Sequence, residues 1–276
     1  MDREPYETGR AVALLARCAL RRNDLESARD RLEQARELVA KLRHEDAMRS
    51  RTLEALTQQV HAEVAIASGD LAAARTNLRQ ASEAFRQTNR PEEAIRALLA
   101  LCGVEHDAGE HRRAADTARA CAALARAAGL NKELSLAEAR QAAAMLHIGQ
   151  REEGCQMLRR LLREGNRESL SEVMLALAEA STMIGMRQDA MRYAESAGAH
   201  ARSERHRGLV LAAYASALDG KFQAVRYLNE ALVILKACGE GILGARLEAW
   251  LGGMALPGAA PADAGNAPDR GAQPTA

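Results

Sequence analysis

The densest group of residues able to hold a proton or a metal ion is Glu105-His106-Asp107-Ala108-Gly109-Glu110-His111. On an unbroken helix His106 and Glu110, four residues apart, would share a face. A metal needs ligands converging on a rigid scaffold. Gly109 is a helix stop between His106 and His111, so the segment reads as a solvated helix end with capping charges. His44-Glu45-Asp46 reads the same way, as an inter-helix loop. The five cysteines, Cys18, Cys102, Cys121, Cys155 and Cys238, include no C-x-x-C pair and read as small reduced thiols. A phosphate-binding glycine loop, G-x-S-x-G and H-E-x-x-H are all missing from the sequence. No catalytic residue, metal or cofactor is therefore expected, and the chain does not read as an enzyme.

Charge points the same way. Lys and Arg number 38, Asp and Glu 37, and the two signs are interleaved, the pattern of solvated helix faces. Arg112-Arg113 and Arg159-Arg160 have no aromatic platform beside them, which argues against nucleic-acid binding. No stretch suits a membrane span, and the first ten residues do not resemble a secretory signal, so the cytoplasm is the expected compartment.

The elements that position these residues read as helices. Hydrophobic residues make up 47% of the chain but aromatics only 3%, so the interior must be built of Ala, Leu, Val and Met, which favours close helix packing over a sheet. Turn signals recur at Asn23-Asp24, Gly69-Asp70, Gly109-Glu110, Gly149-Gln150, Gly185-Met186 and Asp219-Gly220. Five residues after the first member of each pair stands a small residue: Ala28, Ala74, Ala114, Gly154, Ala190 and Ala224. Seven before it stand Ala16, Ala62, Cys102, Ala142, Ala178 and Ala212. Seven after the first column stand Ala35, Ala81, Cys121, Leu161, Ala197 and Ala231, and only Leu161 breaks the rule.

Small residues in register over six units mark close crossings in a repeat of antiparallel helix pairs. First helices are expected near 6–22, 47–68, 92–108, 133–148, 169–184 and 206–218. Second helices are expected near 24–43, 70–88, 111–128, 151–164, 187–203 and 221–237. A last helix near 240–252, with Leu243, Leu247, Leu251 and Trp250, would cap the apolar end. Residues 1–256 thus read as one solenoid, and the Pro-, Ala- and Gly-rich stretch 257–276 as a disordered tail.

These columns resemble those of the tetratricopeptide repeat (TPR). Segment 55–88, with Ala62, Gly69, Asp70, Ala74 and Ala81, is the nearest match. The units are long and lack most of the usual first-helix aromatics. In this they are similar to bacterial peptide-sensing regulators and to the sensor arms of large ATP-dependent transcription activators. The resemblance implies an all-α, right-handed solenoid of about six helix pairs whose first helices line a concave groove. It implies that Arg17, Gln59, Glu63, Arg96, Leu99, His106, His147, Leu175 and Glu179 face that groove and contact a partner. The expected function is a scaffold or adaptor holding a peptide or helix of another protein. The alternative is a ligand- or peptide-gated regulatory module of a bacterial signalling or transcription system. As a groove residue, Arg17 is expected to matter for binding and not for stability.

Overall fold

Gly69, Asn89, Gly109, Gly129 and Gly149 stand twenty residues apart, and all five have positive φ, between 55° and 89°. There, and again at Gly185 with φ 80°, the chain takes the left-handed conformation that glycine adopts without strain. The residue after each returns its N–H five residues back: Asp70 to the Ala65 carbonyl at 2.8 Å, Glu110 to Glu105 at 2.8 Å, Leu130 to Ala125 at 2.9 Å. Each of the five helices ending at Gly69, Asn89, Gly109, Gly129 and Gly149 thus closes in a Schellman motif, and the next begins at once. The sequence reading finds only every second of these turns, because Asn89 and Gly129 lie between units.

The computed structural model describes residues 4–22, 24–164, 169–201, 203–218, 221–238 and 241–254. They form α1 (Glu4–Arg21), α2 (Leu25–Leu42), α3 (Ala47–Ala67), α4 (Leu71–Gln87), α5 (Pro91–Asp107), α6 (His111–Ala127) and α7 (Asn131–His147). These are followed by α8 (Arg151–Glu164), α9 (Leu170–Met183), α10 (Arg187–Ala199), α11 (Glu204–Ala217), α12 (Lys221–Ala237) and α13 (Gly241–Met254). Every expected helix is present within about four residues at each end, and no strand occurs among the described residues. Asn23, Asp219-Gly220 and the tail 257–276 lie outside the described residues, as does the side chain of Leu243. No helix of the described chain is long and apolar enough to cross a membrane.

Local chemistry sets the helix starts. Asp24, Asp46 and Asp70 cap α2, α3 and α4 by accepting the N–H of Ser27, Arg49 and Ala73 at 2.9–3.0 Å. Pro91 opens α5, where its missing N–H costs nothing. The second helices are amphipathic: α4 buries Ala74, Leu78, Ala81, Ser82 and Phe85 on one face. Burial of a side chain such as Phe85 contributes about 1.5–3 kcal/mol.

The small-residue columns are the crossings. Cys102 Sγ lies 3.4 Å from the Ala114 carbonyl, joining the column before one turn to the column after it. In the next unit a Cβ added to Gly154 would stand 3.0 Å from the Ala142 carbonyl. Cys121 Sγ reaches the Ile95 carbonyl at 3.7 Å in the third column. Leu161 is buried in a patch of larger side chains, Leu158, Val173 and Leu177, where the helices have room for it.

Each helix packs on its neighbours in the chain. In addition, first helices pack on first helices, at α1–α3, α5–α7, α7–α9 and α9–α11, whereas second helices make no comparable packing with one another. In a curved stack the elements that touch are on the inside, so the first helices α1, α3, α5, α7, α9 and α11 form the concave face, with no comparable packing between α3 and α5. α13 covers α12, burying Leu247 against Leu228 and Leu235 with Trp250 and Leu251 beside it. It also touches α3 near the start of the chain, so the solenoid coils back toward its own beginning.

Candidate functional site

Each of the four packings between first helices carries a polar bond. Between α1 and α3, Arg17 donates Nε and Nη2 to Glu63 at 2.7 and 2.6 Å. Between α5 and α7, Arg140 donates Nη1 to the Leu99 carbonyl. Between α7 and α9, His147 Nε2 lies 2.8 Å from Glu179 Oε1. Between α9 and α11, His206 Nε2 lies 2.9 Å from Glu172 Oε1. Together they form a ladder along the inner helices.

Sequence periodicity accounts for part of it. Arg17, Glu63 and Glu179 each stand six residues before a turn residue. Gly103 holds that place on α5, and a Cβ there would come within 3.0 Å of Arg140 Nη1. The missing side chain leaves space for the Arg140 guanidinium to cross α5. Burial pushes the Glu172 carboxyl up, but the hydrogen bonds from His206 and from backbone, with the charges of His206 and Arg140, leave it below its ordinary value.

Four of the nine residues expected in the groove enter this ladder by their side chains, Arg17, Glu63, His147 and Glu179, and Leu99 enters only by its backbone carbonyl while its side chain packs on the cluster of Ile95 and Cys121. His106 stands beside it, with Nε2 3.9 Å from Glu179 Oε1. Arg96 does not join them; it is exposed and pairs with Glu92 one turn back on α5. Gln59 and Leu175 are half-buried on α3 and α9. Arg17 is not a free groove cation, because its bidentate pairing ties two units together. Arg17 thus has a structural contact in addition to any role in binding.

The turn at Gly109 does not keep His106 and His111 apart. It folds α6 back on α5, and the two rings meet edge-on with centroids 4.9 Å apart. His147, two residues before the next turn glycine of the same edge, joins them. Its ring stacks on His111 at 4.1 Å and 12°, and meets His106 edge-on at 4.9 Å. One ring nitrogen of each of the three lies within 4.8 Å of the others. Beside them Gly109, Glu110, His111, Arg112, Arg113 and Ile148 line an open cleft of about 490 Å³.

Sequence reasoning missed His111, Arg140 and the His206–Glu172 pair. For His111 the signal was present: two residues after a turn glycine faces two or three before it. The buried cysteine thiols take no part in the cluster, although Cys102 lies one turn before His106 on α5. Burial pushes the Cys102 thiol up to about 11 and Cys121 to about 12, so both are neutral packing residues.

No protein-family model and no curated protein matches the sequence. Solved structures do match in shape. The apo form of RapI superposes with a TM-score of 0.64 at 12% identity, over 90% of this chain and 97% of that one. NprR in complex with its cognate peptide NprX gives 0.64 at 13% identity, over 93% and 79%. A Signal Transduction ATPase with Numerous Domains from Pyrococcus horikoshii, with a tetratricopeptide repeat sensor, gives 0.56 at 13% identity, over 91% and 39%. Identities this low speak for the fold alone, and the fold of this chain is that of the tetratricopeptide-repeat proteins.

Proposed function

We propose that the chain is a non-catalytic interaction scaffold that holds a peptide or helix of another protein against its inner helices. The observation that carries this reading is the inner face of first helices, α1 packed on α3 and α5, α7, α9 and α11 packed in an unbroken row. A face that long suits an extended or helical segment. NprR, which shares the fold, was solved with a peptide. Arg140 adds a recognition charge: it is held by the neutral Leu99 carbonyl and its charge acts on Glu172 without a direct ion pair, so its guanidinium can take an acidic group of the partner. In this reading Gln59 on α3, Leu175 on α9 and Arg96 on α5 offer polar, apolar and basic contacts elsewhere along the inner helices.

A second reading, a peptide-gated regulatory module, is favoured by the ladder. A ligand that exchanges partners with Arg17–Glu63 or His147–Glu179 alters the bonds joining successive units, and so couples binding to solenoid shape.

Selection of a displayed peptide library on the full chain tests the scaffold. Enriched peptides should carry an acidic residue. Their binding should weaken about tenfold in Arg140→Gln and in Leu175→Asp, measured at a temperature where each variant is fully folded. Failure to enrich any sequence, or binding indifferent to both substitutions, would overturn the reading. A change in small-angle scattering on peptide binding would select the gated version.

A further inference from the structure

We propose that His106, His111 and His147 bind a divalent transition-metal ion of the zinc type at the turn edge of the solenoid. The three imidazoles come from three elements: the end of α5, the start of α6 and the end of α7. Their candidate ligand nitrogens lie within 4.8 Å of one another. An ion centred in a triangle of that edge sits about 2.8 Å from each corner, so shifts of roughly 0.7 Å per ligand, with the stacked His111 and His147 rings turning out of parallel to bring their in-plane lone pairs together, reach the zinc–nitrogen distance of about 2.0–2.1 Å. The scaffold is stiff where it matters. His106 and His111 flank the Schellman turn locked by the Glu110-to-Glu105 bond, and His147 is the last residue of α7.

Chemistry selects the ion. Imidazole nitrogen suits zinc, copper, nickel and cobalt, whereas magnesium and calcium require oxygen donors. Glu179 Oε1, 2.8 Å from His147 Nε2 and 3.9 Å from His106 Nε2, supplies the carboxylate that commonly orients a ligating histidine and offsets the cation's charge. Glu179 is a positioning residue in this scheme. Three protein nitrogens leave a coordination position open. The side chains of His106 and His147 keep 21% and 23% of their surface in solvent, and the cleft from Gly109 to Arg113 opens beside His111, so an ion has a route in. Bound there, the ion would clamp α5, α6 and α7, that is, two consecutive units.

The test uses the full chain, stripped with chelator and titrated with zinc and with cobalt(II). The expected result is one equivalent bound, a melting temperature that rises with zinc, and a cobalt spectrum without the near-ultraviolet band of thiolate ligation. Because Cys18 and Cys238 are exposed, that band is the decisive control. His111→Gln and His147→Gln should each lose at least tenfold in affinity and the thermal shift. Glu179→Gln should keep the stoichiometry and lose about tenfold. Absence of a stoichiometric site, a thiolate-type cobalt spectrum, or unchanged affinity in the histidine variants would overturn the proposal. The wild-type titration and spectrum decide it even if a variant fails to fold.

Discussion

Glu105 on α5 has no exposed side-chain surface, and Arg79 of α4 donates Nη2 to it at 2.8 Å from a position 56% exposed. Thr117 of α6 donates to the other oxygen at 2.6 Å, so one carboxylate ties three helices. The asymmetry of exposure predicts an asymmetry of effect. Arg79→Ala strands a buried charge and should cost about 2 kcal/mol, below the usual ~3–5 for a buried pair because the guanidinium is half in water. Glu105→Gln releases Arg79 to solvent, keeps an acceptor for Thr117, and should cost about 1 kcal/mol. Urea unfolding at neutral pH checks the order, and the reverse order would remove Glu105 as the anchor.

Arg17 and Glu63 make a similar link nearer the N-terminus, with 25% and 31% of their side-chain surface exposed. Arg17→Ala should lower stability by up to about 1 kcal/mol, the upper range for pairs of this exposure. A double-mutant cycle with Glu63→Gln should recover most of that loss as coupling.

Gly154 tests the small-residue columns. An added Cβ would stand 3.0 Å from both the Ala142 carbonyl and Leu146 Cδ2. Gly154→Val should cost about 2 kcal/mol through overpacking. In Gly154→Ala the helix-propensity gain of about 1 kcal/mol offsets much of the crowding. Thermal melts that place Val level with wild type would show that these helices do not cross closely.

Asn89 is the one non-glycine residue with positive φ among the described residues. Asn89→Gly should stabilise the chain by a few tenths of a kcal/mol. Gly69→Ala, with nothing within 4 Å to meet the new Cβ, should cost about 1–2 kcal/mol from backbone strain alone. Chemical denaturation of the two variants should shift midpoints in opposite directions.

His61 gives stability a pH dependence. Burial first, and then the charge of Arg36, push its pKa below the ordinary value near 6.5, against the pull of Glu33. Below about pH 6.5 the unfolded chain takes up a proton that the folded chain resists. This contribution is therefore complete above that pH and is lost as pH falls through the depressed folded value. The wild-type unfolding free energy should drop more steeply than that of His61→Leu between about pH 7 and pH 5.5. Parallel curves would refute the assignment.

The sequence by itself determined the helix pairs, the glycine turns and the small residues that let helices cross. Those features are local or periodic: a turn needs its φ > 0 residue in place, and a close crossing forbids a large Cβ substituent, a rule that every column position but Leu161 obeys. Seventeen of the eighteen column residues are buried, and Ala212 is half-buried. The candidate site was legible only as a groove of first-helix residues. Tertiary structure alone decided that Arg17 and Glu63 spend their charges on each other, that Arg140 crosses α5 above Gly103, and that His106, His111 and His147 share one volume. Residues 36–46 apart meet only when twenty-residue half-units stack with their turns on one edge. The same glycine that stops α5 in the sequence is the hinge that brings His111 back to His106, because a left-handed residue reverses the chain instead of merely ending a helix.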